Sequence, residues 1–232
     1  MDAIILAGGL GTRLKPVVSE VPKPLAPIGD RPFLDLLLQQ LDSFEQIEKV
    51  ILAISYKAEL IQQHYQGNDK YHFEIDFSIE DVPLGTGGAI KHALPFTTSN
   101  EVLILNGDSF VEFDLTDLHQ THIENKANLT LVAVKVNDTE RYGSVDIDMS
   151  TMRIAQFSEK QKTNGVGFIN AGCYLLKKCL FNDITEGQKV SFEKQILPSL
   201  VEKKAYAQIS TGKFIDIGTP KTYQQANSGY FN

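Results

Sequence analysis

The chain has little of what builds disulfide frameworks, zinc centres or membrane spans. Its two cysteines, Cys173 and Cys179, lie six positions apart, with no second pair and no matching histidine spacing. That excludes a zinc or disulfide scaffold and leads to an expectation of buried thiols in a reducing compartment. Five histidines are scattered along the chain. His119 and His122 fit one helix face, but no carboxylate at metal-ligand spacing accompanies them, so a solvated surface is expected. No apolar run approaches the roughly 20 residues of a membrane span, and no charged-then-apolar leader precedes the first strand. A cytoplasmic protein without membrane attachment is expected. Basic residues are in deficit, 22 against 29 acidic, for a formal charge of −7. A broad nucleic-acid surface is thereby excluded, and any positive field must be local to a site. There is no low-complexity linker, charge block or internal repeat, and no hexapeptide repeat that would build a C-terminal β-helix. At 232 residues the chain is read as one domain, 1–232.

Two phosphate-loop signatures are missing as well. The glycine-rich segment Gly8-Gly9-Leu10-Gly11-Thr12-Arg13-Leu14-Lys15-Pro16 is not closed by Gly-Lys-Ser/Thr. It also carries Leu14 where the dinucleotide fingerprint needs a third glycine. What is present is an apolar run, residues 3–7, reading as a buried strand that breaks directly into this loop. Glycines after a strand turn tightly and offer bare N–H groups to an anion. Arg13 adds a planar, bidentate grip on phosphate oxygens. Then Pro22-Lys23-Pro24 forms a stiff extended segment. Four of the nine prolines fall within the twelve residues 16–27. A cation held rigidly near such a loop suits the neutralisation of charge on a phosphate under attack.

Apolar periodicities then alternate between strand and helix. Asp30 reads as a helix cap with Pro32 in the first turn, followed by a stripe of Phe33, Leu34, Leu37, Leu38, Leu41 and Phe44. Residues 49–55 read as a core strand, 58–65 as a helix, 73–79 as a half-exposed strand and 101–105 as a buried strand. After residue 114, strands at 128–136, 144–147, 152–157 and 169–176 are read as antiparallel additions to the same sheet. One helix, at 192–202, is interrupted by Pro198. The fold class is therefore α/β: a Rossmann-like, mostly parallel mixed sheet flanked by helices, with a small antiparallel substrate lobe. Residues 1–113 would mainly bind nucleotide. Residues 114–232 would mainly bind the second substrate and supply a second metal aspartate.

Ligands of such sheets sit beyond the carboxyl ends of the strands. Gly85-Thr86-Gly87-Gly88 falls there, with Thr86 read as a helix cap and the glycines allowing close approach to a base or ribose. Asp108 follows an apolar strand and a glycine. Asp216 lies between Ile215 and Ile217, before Gly218 and a helix start at Thr219-Pro220. Facing a triphosphate, such carboxylates are typical magnesium ligands.

Residues 6–16, 22–27, 105–108, 170–172 and 214–219, in this order and spacing, resemble the sugar-1-phosphate nucleotidyltransferases across essentially the whole chain. The resemblance implies a sequential, Mg2+-dependent reaction in which a sugar 1-phosphate attacks the α-phosphate of a nucleoside triphosphate. It assigns the triphosphate to Leu6, Ala7, Gly8, Gly9, Gly11, Thr12 and Arg13, with Lys23 at the α-phosphate. Glu80, Gly85, Thr86 and Gly88 are assigned to the nucleoside. Arg13, Lys23 and Asp108 are the implied catalytic residues, and Asp108 and Asp216 the metal ligands. Asn106, Gly143, Glu159, Lys160, Asn170 and Gly172 are assigned to the sugar phosphate, although Gln161 stands where family members often carry proline.

Within the family, residues 10–14, 19–24 and 79–90 look like the heptose 1-phosphate guanylyltransferases, which make GDP-heptose for surface polysaccharide. A carboxylate such as Glu80 or Asp81 would accept the two adjacent N–H donors of guanine. Uridylyl- or thymidylyltransferases of hexose or N-acetylmuramate 1-phosphate are similar in the same segments. A nucleotide-sugar-binding regulatory module would be expected to lose Lys23 or a metal aspartate, and all are present. A nucleotide-sugar glycosyltransferase would usually show Asp-x-Asp, whereas Ser109 and Phe110 follow Asp108. The sequence is compatible with a homo-oligomer and does not set the oligomeric state.

Overall fold

The computed structural model describes residues 1–67, 69–158 and 165–231. The first half alternates as read: β1 (Asp2–Leu6), two short strands β2 (Pro27–Ile28) and β3 (Arg31–Pro32), α1 (Phe33–Asp42), β4 (Lys49–Ile54) and α2 (Ala58–Tyr65). Next come β5 (Glu74–Ile79), α3 (Gly85–Ala93), β6 (Glu101–Asn106) and β7 (Ser109–Val111). The second half holds α4 (Leu115–Glu124), β8 (Leu129–Val136), β9 (Ser144–Asp148), β10 (Arg153–Ser158) and β11 (Gly167–Lys177). It closes with α5 (Leu197–Leu200), β12 (Ala205–Ser210), β13 (Phe214–Asp216) and α6 (Pro220–Gln225).

One nine-stranded mixed sheet, ordered β5-β4-β1-β6-β11-β8-β12-β10-β9, runs through both halves. The β5-β4-β1-β6 ladder is parallel, as the strand–helix alternation requires. β11 joins β6 antiparallel. Antiparallel pairing then prevails, except that β12 runs parallel to β8. Strand alternation divides the core between the two faces. Ala3, Ile5 and Leu52 pack with the α1 leucines, while Ile4, Ile51 and Ile104 pack with α3 and Phe192. Leu34, Leu37, Leu38 and Leu41 are buried on α1, each stabilising the fold by about 1.5–3 kcal/mol.

Several local expectations are corrected. Asp30 does not cap α1. Pro32 holds the N-cap position in an extended conformation without a side-chain cap, and the Phe33 N–H donates to the Ala26 carbonyl instead. Thr86 does not cap α3, because Leu84 precedes the helix and the Thr86 hydroxyl is engaged across the chain. His122 is buried, not solvated, since α4 turns Leu115, Leu118 and His122 onto the sheet. Cys173 is buried as expected, but Cys179 is exposed. The helix expected at 192–202 is split into a π turn, Phe192–Ile196, and α5, with Pro198 in the first turn of α5.

Candidate active site

Register aligns the sheet's carboxyl ends. Leu6 on β1 faces Ala53 on β4 and Asn106 on β6. The Gly107 N–H then donates to the Leu6 carbonyl at 3.0 Å. A Cβ on residue 107 would stand 2.6 Å from that oxygen, so only glycine allows the two loops to touch. This contact sets the glycine loop beside Asp108. β7 and β13 form a separate two-stranded ribbon in which Asp216 faces Ser109. The ribbon thus brings the second aspartate to the first.

Lys23 begins a short 3-10 turn behind Pro22. Its Nζ lies 2.5 Å from Asp108 Oδ2, and its side chain is only 9% exposed. Gly11, at φ +58°, packs against the Lys23 Cβ. Burial opposes the charge of Asp108, but Lys23, the Ser109 hydroxyl and Arg13 outweigh it and hold the carboxyl below the ordinary range. For Asp216, burial and the neighbouring Asp108 charge push the carboxyl up, against Lys23, the Gly218 N–H and Arg13. Two carboxylates and two cations therefore meet at one point of the sheet end.

Around them opens a cavity of about 540 Å³. Of the residues expected at the nucleotide, Leu6, Gly8, Gly9, Arg13, Glu80, Gly85, Thr86 and Asp108 line it. Of those expected at the sugar phosphate, Asn106, Gly143, Asn170 and Gly172 line it, and Asp216 joins them. Ala7 is buried behind the first wall, and Gly88 is packed against the Gln188 carbonyl. Gly11, Thr12 and Lys23 are not part of the wall. Lys23 reaches the site through Asp108. Glu159 and Lys160 lie outside the described residues.

Glu80 is buried, with one carboxylate oxygen accepting the Leu84 N–H at 2.7 Å. The other oxygen faces Gly8, where a Cβ would stand 3.2 Å away. Burial pushes the carboxyl up, against the Leu84 N–H and His92. Asp81 is exposed and does not line the cavity. Thr86 donates to Glu193 at 2.6 Å and accepts the Phe192 N–H, joining α3 to the π turn. At the other end, β11 bulges between Asn170 and Tyr174. There Asn170 donates to the Tyr174 hydroxyl and accepts the Gly172 N–H, with Gly172 at φ +78°. Among the described residues, the buried Asn106 Oδ1 has no hydrogen-bond partner, while Asn106 as a residue belongs to the cavity wall.

Sequence reasoning missed Ser109, Arg141, Tyr142, Ser144, Phe157, Ser158, Ser191, Glu193, Lys194 and Phe214, all of which line the cavity. Adjacency to Asp108 and Gly143 was the available signal for Ser109, Arg141, Tyr142 and Ser144. The others carry none without the fold.

Residues 2–232 match the model of the nucleotidyl transferase family. The chain is 44% identical to the D-glycero-alpha-D-manno-heptose 1-phosphate guanylyltransferase of Campylobacter jejuni, over 96% of this chain and 97% of that one. It is also 44% identical to the enzyme of that name from Aneurinibacillus thermoaerophilus, over 97% and 96%. Among solved structures it resembles HddC from Yersinia pseudotuberculosis, at TM-score 0.85 and 37% identity over 99% of both chains. That protein has also been solved complexed with GMP-PN. The full-length match and the strand-end site agree: this chain belongs to the nucleotidyl transferase family.

Proposed function

We propose that the chain transfers GMP from GTP to D-glycero-α-D-manno-heptose 1-phosphate, releasing pyrophosphate, in the cytoplasm. The observation that carries this reading is the 44% identity, over nearly the full length, to heptose 1-phosphate guanylyltransferases. The cavity supports it, with the glycine loop and Arg13, the buried carboxylate of Glu80, and Asn106, Asn170 and Gly172 gathered on one sheet end.

In the reaction, an oxygen of the sugar phosphate attacks the α-phosphorus and the bond to the β-phosphate oxygen breaks. The attacking phosphate is already ionised, so no general base is needed. Alignment and charge neutralisation do the chemistry. Arg13 holds the departing pyrophosphate, and Lys23 neutralises the α-phosphate from its fixed turn. The free face of Glu80 accepts the N–H donors of guanine.

Asp108 and Asp216 fit a magnesium ion. They are oxygen donors brought together at the cavity, and the Asp108 charge raises the Asp216 carboxyl, a repulsion that a hard cation removes. Bound there, magnesium would supply charge neutralisation and Lewis acidity to the phosphates. Asn106, Gly143, Asn170 and Gly172 orient the sugar; Lys160, assigned to its phosphate by family likeness, lies outside the described residues.

Pyrophosphate release with each nucleoside triphosphate against several sugar 1-phosphates tests the reading. GTP with the manno-configured heptose 1-phosphate is expected to give the highest kcat/KM, with mannose 1-phosphate poorer. Preference for UTP or dTTP would sink the guanylyl assignment, and silence with every pair would sink the transfer itself.

A further inference from the structure

We infer that Arg141 grips the phosphate of the sugar 1-phosphate, an inference that rests on the transfer reading above. At the catalytic point, Lys23 and Arg13 face Asp108 and Asp216, and these formal charges cancel. An incoming sugar phosphate brings further negative charge, which the cancelled set does not offset. Among the described residues of the cavity wall, Arg141 carries a charge that no carboxylate answers. Among the described residues its guanidinium meets the Thr219 hydroxyl, at 3.5 Å, and the face of Tyr142, 5.6 Å from the ring centroid.

The Tyr142 ring under that guanidinium packs edge-on to Phe214, with centroids 5.5 Å apart. Phe214 opens β13, whose last residue is Asp216. Gly143, which follows Tyr142 in the chain, accepts the Asn170 N–H through its carbonyl at 3.0 Å. The segment bearing Arg141 is thus pinned to the strand of the second aspartate and to the strand carrying Asn170. A long side chain held at its base, over an aromatic face, keeps its fork free for a bidentate ligand. Phosphate is the ligand whose geometry matches, and the sugar end of the cavity is where this fork stands.

The test is steady-state kinetics on wild type, Arg141→Ala and Arg141→Lys, using whichever nucleotide and sugar pair wild type turns over fastest. For the alanine variant the KM for sugar 1-phosphate is expected to rise about tenfold or more, the scale of one charge-assisted contact. The KM for nucleotide and the melting temperature should hold. Lysine should recover part of the loss, because it restores charge without the fork. An unchanged KM for sugar 1-phosphate, or a rise confined to the nucleotide, overturns the assignment. Should wild type turn over no pair, the transfer reading fails on its own. Calorimetric titration of mannose 1-phosphate onto wild type and Arg141→Ala then decides the arginine: weaker binding by the variant supports it, and equal or absent binding overturns it.

Discussion

Lys23 Nζ stands 2.5 Å from Asp108 Oδ2, although 85 residues separate the two in the chain. The pair forms because β1 and β6 are parallel neighbours in register, so the loops leaving them meet at the same sheet end. Asp108 keeps 39% of its side chain exposed, and the cavity is that exposure. The ammonium is thus fixed by a carboxylate that remains open to the cavity.

Lys23→Ala should lower turnover by about two orders of magnitude or more, the scale of losing one preorganised charge contact. Asp108 loses its closest cation, but cavity water can hydrate it, so the melting temperature should fall by only a few degrees. Stopped-flow or coupled assays beside thermal melts check both. Activity within a few-fold of wild type would make the lysine structural.

Asp108→Asn and Asp216→Asn should each raise the magnesium concentration for half-maximal activity by about tenfold or more, since the proposed cation loses one of two carboxylates. Magnesium titrations of both variants decide it. A curve that overlies wild type removes that residue from the ligand set.

Glu80→Gln should erode the preference for GTP over UTP by about tenfold, because a neutral amide cannot accept both guanine donors. Asp81→Asn should leave it unchanged, as Asp81 is exposed and off the wall. The measurement is the ratio of kcat/KM values for the two nucleotides. Equal ratios in wild type and Glu80→Gln would move base reading elsewhere.

His122 predicts an acid-sensitive fold. Burial, with the nearby charges of Lys177 and His119, lowers its imidazole from 6.5 to about 4. Nδ1 pairs with the Thr130 hydroxyl at 2.9 Å, and Nε2 lies 3.7 Å from a Glu101 oxygen. The folded protein keeps this ring neutral, whereas the unfolded chain protonates it below about 6.5. Its contribution is therefore complete above that pH and is lost progressively as pH falls toward 4. Urea midpoints of wild type and His122→Gln, compared across pH 7 to 4.5, should show a shallower decline in the variant. Parallel curves would refute the assignment.

Much of the site was legible because its pieces are local. A buried run breaking into Gly8-Gly9, and a lysine between two prolines, declare themselves within a few residues. So do the stripe of α1 and the central strands, whose periodicity reports burial directly. Asn106, Asn170 and Gly172 were named through family likeness, and they line one cavity end.

The sequence by itself determined the α/β class, the glycine-rich loop after β1, the rigid Lys23 and the two strand-end aspartates, since each depends on neighbours in the chain. Tertiary structure alone decided which of them meet. The β7–β13 ribbon carries Asp216 to Asp108. Glu193 and the Phe192 N–H take Thr86 away from capping, while Ala26 supplies the acceptor that Asp30 does not need to replace. Packing onto β8 buries His122 beside Thr130, and a chain of rings aims Arg141 at the cavity. Strand pairing and hydroxyl partners are set by which faces can be buried together over long sequence separations, and no local pattern encodes that choice.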